Sequence, residues 1–121
     1  MKFLRMKNTK SIFEMIVDRE IDAKIVYEDD LVISIEDINP VAPYHFLIIP
    51  KEKISTLNDL NNSHKELLNR IFEVARNIAK EFNFDQKGYR TIFNCNEYGG
   101  QTVYHIHLHL ISGRKLGWPP G

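Results

Sequence analysis

The sequence has one cysteine, Cys95, among 121 residues, so no internal disulfide framework can form and the chain fits a reducing compartment. No apolar run is long enough to span a bilayer. Residues 1–10 are basic, but no apolar stretch of signal-peptide length follows them. The expectation is a cytoplasmic protein with no membrane partner. Residues 1–10 read as a flexible N-terminus, within which either Met1 or Met6 serves as the start. Charge of one sign is also missing: 16 basic side chains balance 16 acidic ones, and no basic patch of five or more residues occurs. A nucleic-acid partner therefore has no electrostatic support. There is no Gly-x-x-x-x-Gly-Lys-Ser/Thr phosphate loop, which argues against magnesium-dependent phosphoryl transfer. Repeats, low-complexity segments and internal boundaries are absent as well. Residues 1–121 read as one domain, with 43% hydrophobic content sufficient for a core.

What the chain does have is the stretch Gly99-Gly100-Gln101-Thr102-Val103-Tyr104-His105-Ile106-His107-Leu108-His109-Leu110-Ile111, which holds three of the five histidines at alternate positions. Strict alternation is the period of a half-buried strand. The segment is predicted as a strand with His105, His107 and His109 on one face and Ile106, Leu108 and Leu110 directed into a core. Neighbouring histidines on that face are roughly 7 Å apart at Cα. Gly99 and Gly100 allow backbone to approach a ligand closely. A solvated strand face more often uses Thr, Lys or Glu. The residues alone leave two readings open: a His-x-His metal pair, or one imidazole acting as a nucleophile while its neighbours bind and orient.

The remaining elements follow from periodicity. Ile12, Phe13, Ile16 and Val17 form a short helical stripe within residues 11–20. The β-branched runs 24–28 and 31–35 flank Asp29-Asp30 as a hairpin. Pro40 and Pro43 interrupt the pattern, and residues 44–51 form a strand closed by Pro50. Ser63 and Glu66 are spaced as a capping box opening the one long helix, residues 63–83. Residues 89–94 form a strand leading to the histidine strand. With short links throughout except for the helical crossover, this order predicts an α+β architecture with an antiparallel sheet. Residues 113–121 form a tail with Pro119 and Pro120, in which Trp118 needs a surface to pack on.

Other polar residues gather near the histidines by inference: Asp37 and Asn39 in the loop before His45, Asn94 at the end of the neighbouring strand, Gln101 and Thr102 leading into the triad. Taken singly, each has an ordinary structural reading as a loop cap, turn former or β-former. Cys95 reads as a small buried hydrophobe rather than a nucleophile.

The string His105 to Ile111 matches the His-φ-His-φ-His-φ-φ signature of the histidine triad (HIT) family. Gly99 to His105, the ending Gly113-Arg114 with Trp118-Pro119-Pro120-Gly121, and the block Asp37-Ile38-Asn39-Pro40, Ala42-Pro43 and His45 to Lys51 resemble its Hint branch. The likeness runs from about residue 11 to residue 121. It implies a HIT-like fold: a five-stranded antiparallel sheet with one long helix and a short N-terminal helix, paired into a homodimer with a ten-stranded sheet. The implied activity is cleavage of the phosphorus–nitrogen bond of purine nucleoside 5′-phosphoramidates through a nucleotidyl-histidine intermediate. The products are a nucleoside monophosphate of the AMP or GMP type and an amine.

By the same resemblance, His107 is the nucleophile and His109 contacts the phosphate and handles protons. His105 and His45 complete a polar relay behind it. Asp37 and Ile38 hold ribose and base. Asn94, Gly100, Gln101 and Thr102 surround the phosphate, Thr102 also serving as a donor to the leaving amine. Trp118 lines the partner's pocket as a substrate-gating tail. No cofactor and no metal are expected. Dinucleoside polyphosphate hydrolysis is the alternative within the family. A non-catalytic purine-nucleotide-binding or zinc-binding module is the alternative outside it. Two departures stand out. Thr102 occupies a position commonly Ser in Hint relatives, keeping the hydroxyl but adding a methyl. Ser11 and Glu14 stand where many bacterial relatives carry a cysteine pair that helps bind zinc.

Overall fold

The computed structural model describes residues 10–121; the rest of the expected flexible N-terminus lies outside the described residues. Lys10 itself is tied down, with Nζ 2.8 Å from an Asp18 carboxylate oxygen. The strands are β1 Ile25–Glu28, β2 Val32–Glu36, β3 Tyr44–Pro50, β4 Arg90–Ile92 and β5 Leu108–Ser112. The helices are α1 Ile12–Val17, α2 Lys65–Glu81 and α3 Asn96–Gly99. The strands form one antiparallel sheet in the order β1-β2-β3-β5-β4, the five-stranded α+β arrangement expected from the pattern. Pairing of β3 with β5 puts Leu47 opposite His109 and His45 opposite Ile111.

Alternation along the strands builds two cores on the two faces of the sheet. On one face Val32, Phe46, Ile48, Leu108 and Leu110 meet Ile71, Val74, Ala75, Ile78 and Ala79 of α2. On the other, Ile33, Ile35, Leu47 and Ile49 meet Phe13 and Ile16 of α1. His45 and His109 belong to this second face, since Phe46, Leu108 and Leu110 beside them point to the first. A 17-residue helix covers one face and a 6-residue helix part of the other. The histidine side chains thus sit where the apolar cover is thinnest.

Three expectations about elements are corrected. The histidine strand begins only at Leu108, so His105 and His107 precede it. Ile106 N–H donates to the Ile54 carbonyl at 2.8 Å instead of joining the ladder, and the His107 ring turns back onto the His105 carbonyl. The face assignment nonetheless holds, with Ile106 buried beside Leu108 and Leu110. Ser63 and Glu66 do not cap α2, whose N-cap His64 makes no side-chain capping bond. Asn61 captures that chemistry instead. Its Oδ1 accepts from Ser63 N–H at 2.9 Å and from the Ser63 hydroxyl at 2.6 Å, closing a 3₁₀ turn over Asn62–His64. Finally, α3 intervenes between β4 and β5, and β4 is shorter than the run 89–94. Gly100 closes α3 in the left-handed region, φ 82°, which favours glycine. Cys95, just before α3, is a free thiol and only half-buried.

Candidate active site

Two hydrogen-bonded chains fix the protons of the imidazoles. A backbone amide can only donate, so the Val41 N–H, 3.2 Å from His45 Nδ1, makes that nitrogen the acceptor. The His45 proton is therefore on Nε2, where it donates to His109 Nδ1 at 2.9 Å. His109 in turn keeps its own proton on Nε2, as a donor for a ligand. In the second chain a carbonyl can only accept. His107 Nδ1–H donates to the His105 carbonyl at 2.8 Å, which leaves the His107 Nε2 lone pair unprotonated. A nucleophilic nitrogen and a proton donor thus stand on adjacent rings, whose centroids are 5.1 Å apart.

The environment keeps these rings neutral. Burial lowers His107, His105 and His45 below the ordinary histidine value, more than their favourable partners raise them. Burial, with the neighbouring His107 and His45, pushes His109 down to about 4. Asp37 opposes this: its Oδ2 is 3.4 Å from His45 Nε2, while Oδ1 accepts from Asn39 N–H at 2.8 Å.

A cavity of about 210 Å³ opens over His107 and His109. Ile12, Phe13 and Ile16 of α1 wall one side, and Ile35, Leu47 and Val103 add further apolar surface. Asp37, Ile38 and Thr102 are also in the lining. Phe13 meets His107 edge-on at 4.8 Å between centroids. Larger cavities of about 790 Å³ and 520 Å³ lie away from these histidines, so volume does not locate the chemistry; the oriented imidazoles do.

Several expected site residues are placed differently. The His105 ring is fully buried, bonded to Ser11 Oγ at 2.8 Å and to the Pro50 carbonyl at 2.8 Å; it is the His105 main chain that meets His107. His45, by contrast, bonds the His109 ring, the one the expected relay stands behind. The Gln101 amide is committed to main chain: Nε2 donates to the carbonyls of Ser55 at 2.7 Å and Val103 at 3.1 Å, and Oε1 accepts from Asn96 N–H at 2.8 Å. Gln101 therefore shapes the loop entering the triad. Asn94 is among the residues lining the 520 Å³ cavity with Trp118. Trp118 is 82% exposed, its ring 6.0 Å from the Arg90 guanidinium, and Arg90 Nη2 donates to the Gly117 carbonyl at 2.7 Å. Ser11, Phe13 and the carbonyl of Pro50 were not anticipated in these roles. The spacing Ser11-x-x-Glu14 was the available signal for the first, since it forms the capping box of α1.

The zinc site of bacterial relatives does not fit here. The Ser11 hydroxyl accepts from Glu14 N–H at 3.0 Å while bonding His105, and Glu14 accepts from Ser11 N–H at 2.9 Å. The Lys53 ammonium lies 3.8 Å from the Glu14 carboxylate. A hydroxyl already bonded twice and a nearby ammonium make a poor set for a cation that prefers thiolate and free imidazole. A different trio, Asp37, His45 and His109, has ligand atoms all within 4.8 Å of one another, the one such group among the described residues.

Comparison with known proteins places the sequence and the fold. A family described as "Scavenger mRNA decapping enzyme C-term binding" matches residues 10–117. The purine nucleoside phosphoramidase of Escherichia coli K12 is 50% identical over 108 residues, covering 89% of this chain and 91% of that protein. The crystal structure of a HIT family hydrolase from Legionella pneumophila superposes with a TM-score of 0.91 at 47% identity, over 93% of this chain and 100% of that one. A histidine triad protein from Clostridium difficile gives 0.87 at 44% identity, over 91% and 96%.

Proposed function

The chain belongs to the histidine triad family, and on that premise we propose that it hydrolyses the phosphorus–nitrogen bond of purine nucleoside 5′-phosphoramidates. The observation that carries this reading is the His107 ring, tied by Nδ1–H to the His105 carbonyl with Nε2 bare, beside His109 with its proton on the outward nitrogen. In the first step the Nε2 lone pair attacks the α-phosphorus and the bond from phosphorus to the amine breaks. The positive charge arising on the His107 ring is shared with its Nδ1–H, which already points at a carbonyl. His109 Nε2–H donates to a phosphate oxygen, offsetting charge that develops there. An amine leaves poorly unless protonated, and the Thr102 hydroxyl, in the cavity wall, is the donor for it. Water then cleaves the phosphorus–imidazole bond: its oxygen goes to phosphorus, its proton replaces the one Thr102 gave to the amine, and the monophosphate leaves with His107 restored. The apolar wall of Ile12, Phe13, Ile16 and Ile38 suits a purine, and Asp37 suits ribose hydroxyls.

Kinetics on an adenosine phosphoramidate and a diadenosine polyphosphate test the reading. A higher kcat/KM for the phosphoramidate supports it; preference for the polyphosphate replaces it with dinucleoside polyphosphate hydrolysis. The trio Asp37, His45 and His109 favours a second reading, metal binding. A divalent cation there would displace the His45 proton that orients His109. Full activity in chelator, with inhibition by added Zn²⁺, separates catalysis by imidazole from catalysis by metal.

The edge strand β4 and the helix α2 are the surfaces through which two copies would pair, extending the sheet. The exposed Trp118 would then reach the partner's cavity mouth. A dimer in sedimentation, and altered amine discrimination after deletion of residues 117–121, support this part. The half-buried free Cys95 suits a reducing, cytoplasmic setting. No helix among the described residues is long and apolar enough to cross a membrane.

A further inference from the structure

His105 is fully buried, so neither ring nitrogen can turn to water for a partner. The Pro50 carbonyl, 2.8 Å from Nε2, accepts and cannot donate, which puts the ring proton on Nε2. Nδ1 is then an acceptor, and the group 2.8 Å away is the Ser11 hydroxyl, which must donate to it. The same oxygen accepts from Glu14 N–H at 3.0 Å, capping α1. One hydroxyl, 94 positions upstream in sequence, therefore makes two bonds with opposite polarity. The His105 main-chain carbonyl is in turn the acceptor that fixes the proton on His107 Nδ1. Phe13, two residues after Ser11, touches both rings edge-on, at 5.8 Å from His105 and 4.8 Å from His107.

We propose that Ser11 is a positioning residue for the nucleophile: by donating to His105 Nδ1 it holds the peptide whose carbonyl selects the reactive tautomer of His107, and by capping α1 it seats the cavity wall with the same atom. This deepens the phosphoramidase reading and rests on it. The bare alternative is that Ser11 is an N-cap and nothing more. Glycine and aspartate are both accepted at N-caps, yet neither can donate to His105. Ser11→Gly and Ser11→Asp thus keep the helix start while removing the donor. With Asp, His105 must give up the Pro50 bond or take a second proton. Threonine restores a hydroxyl.

The experiment measures steady-state kinetics on an adenosine phosphoramidate, thermal unfolding, and the ¹⁵N imidazole spectrum, in which the two neutral tautomers are distinct. The expected result is a fall in kcat of about 10- to 100-fold in Ser11→Gly and Ser11→Asp, the scale seen when a group supporting a functional side chain is removed. KM should change far less. The His107 signal should move from pure Nδ1–H toward a mixture, and Ser11→Thr should recover the native spectrum and most of the rate. Native kcat and an unmixed His107 tautomer in either donor-free variant would overturn the proposal. If one of them does not fold, the other carries the test. A wild-type protein inactive on phosphoramidates would instead overturn the function proposed above, and the tautomer spectrum would still judge the role of Ser11.

Discussion

The two faces of the sheet are covered by helices of very different length, and they do different work. Under α2, Ile71, Ala79, Ile48 and Leu110 form a buried aliphatic layer that holds no histidine. Under α1, Phe13 and Ile16 share their face with His45, His105, His107 and His109, all held neutral by burial. The long helix supplies area removed from water, which scales with stability. The short one leaves an opening beside the histidines and places an aromatic edge against the His107 ring. Stability and chemistry are therefore separable on this molecule, by which face a side chain points to.

That separation can be broken by substitution. His107→Ala should lower kcat by about 10³-fold or more, the scale on which loss of a nucleophile acts, while nucleotide binding and the unfolding temperature stay near native. Turnover retained within tenfold would show that the nucleophile lies elsewhere. Ile71→Ala, on the other face, should cost about 2–5 kcal/mol in denaturant unfolding because it leaves a cavity in a sealed layer. Its kcat/KM, measured where the protein remains folded, should be unchanged; a parallel loss of activity would mean the two faces are coupled through the sheet.

Changing pH sharpens the contrast. The nucleophile works unprotonated, and burial lowers His107 and its neighbours below the ordinary 6.5. The acid limb of kcat/KM should therefore lie below pH 6.5. The same groups bind protons more readily unfolded than folded. Stability should thus rise with pH across the window from about 4, the folded value of His109, to 6.5, and fall as pH drops through it. An acid limb above 6.5 would contradict neutral, desolvated imidazoles. The smallest effect concerns a single methyl and hydroxyl: Thr102→Val should slow phosphoramidates by about 10²-fold, the lower end for a lost general acid. A substrate with a phenolate-type leaving group should be slowed much less. Equal slowing of both would remove Thr102 from proton donation.

Much of the fold was legible because its signals are local. The apolar stripe from Leu67 to Ala79 gave α2, and the alternation Ile106, Leu108, Leu110 against His107 and His109 gave the correct faces. The length of the histidine strand was not legible. His105 leaves the ladder to bond Ser11 and Pro50, partners far away in sequence. The capping boxes teach the same lesson. Ser63-x-x-Glu66 and Ser11-x-x-Glu14 have the same spacing, but Asn61 competes for the first and only the second forms. At the site, His107, His109, Thr102, Asp37 and Ile38 line one cavity. Gln101 has the expected position in sequence but main-chain partners in space, which a motif cannot report.

The cavity lining has one further consequence. It includes two carboxylates, Glu36 and Asp37, and neutral imidazoles, but no lysine or arginine. A phosphoramidate ester entering it carries a single negative charge. The monophosphate that forms gains a second near neutral pH, where its last proton has a pKa of about 6. The lining offers that extra charge only neutral donors such as the His109 ring, Glu36 is already paired with Lys24, and Asp37 repels it. In the reaction proposed above, chemistry at His107 would turn a tolerated anion into a less welcome one, which favours release of the product over its retention.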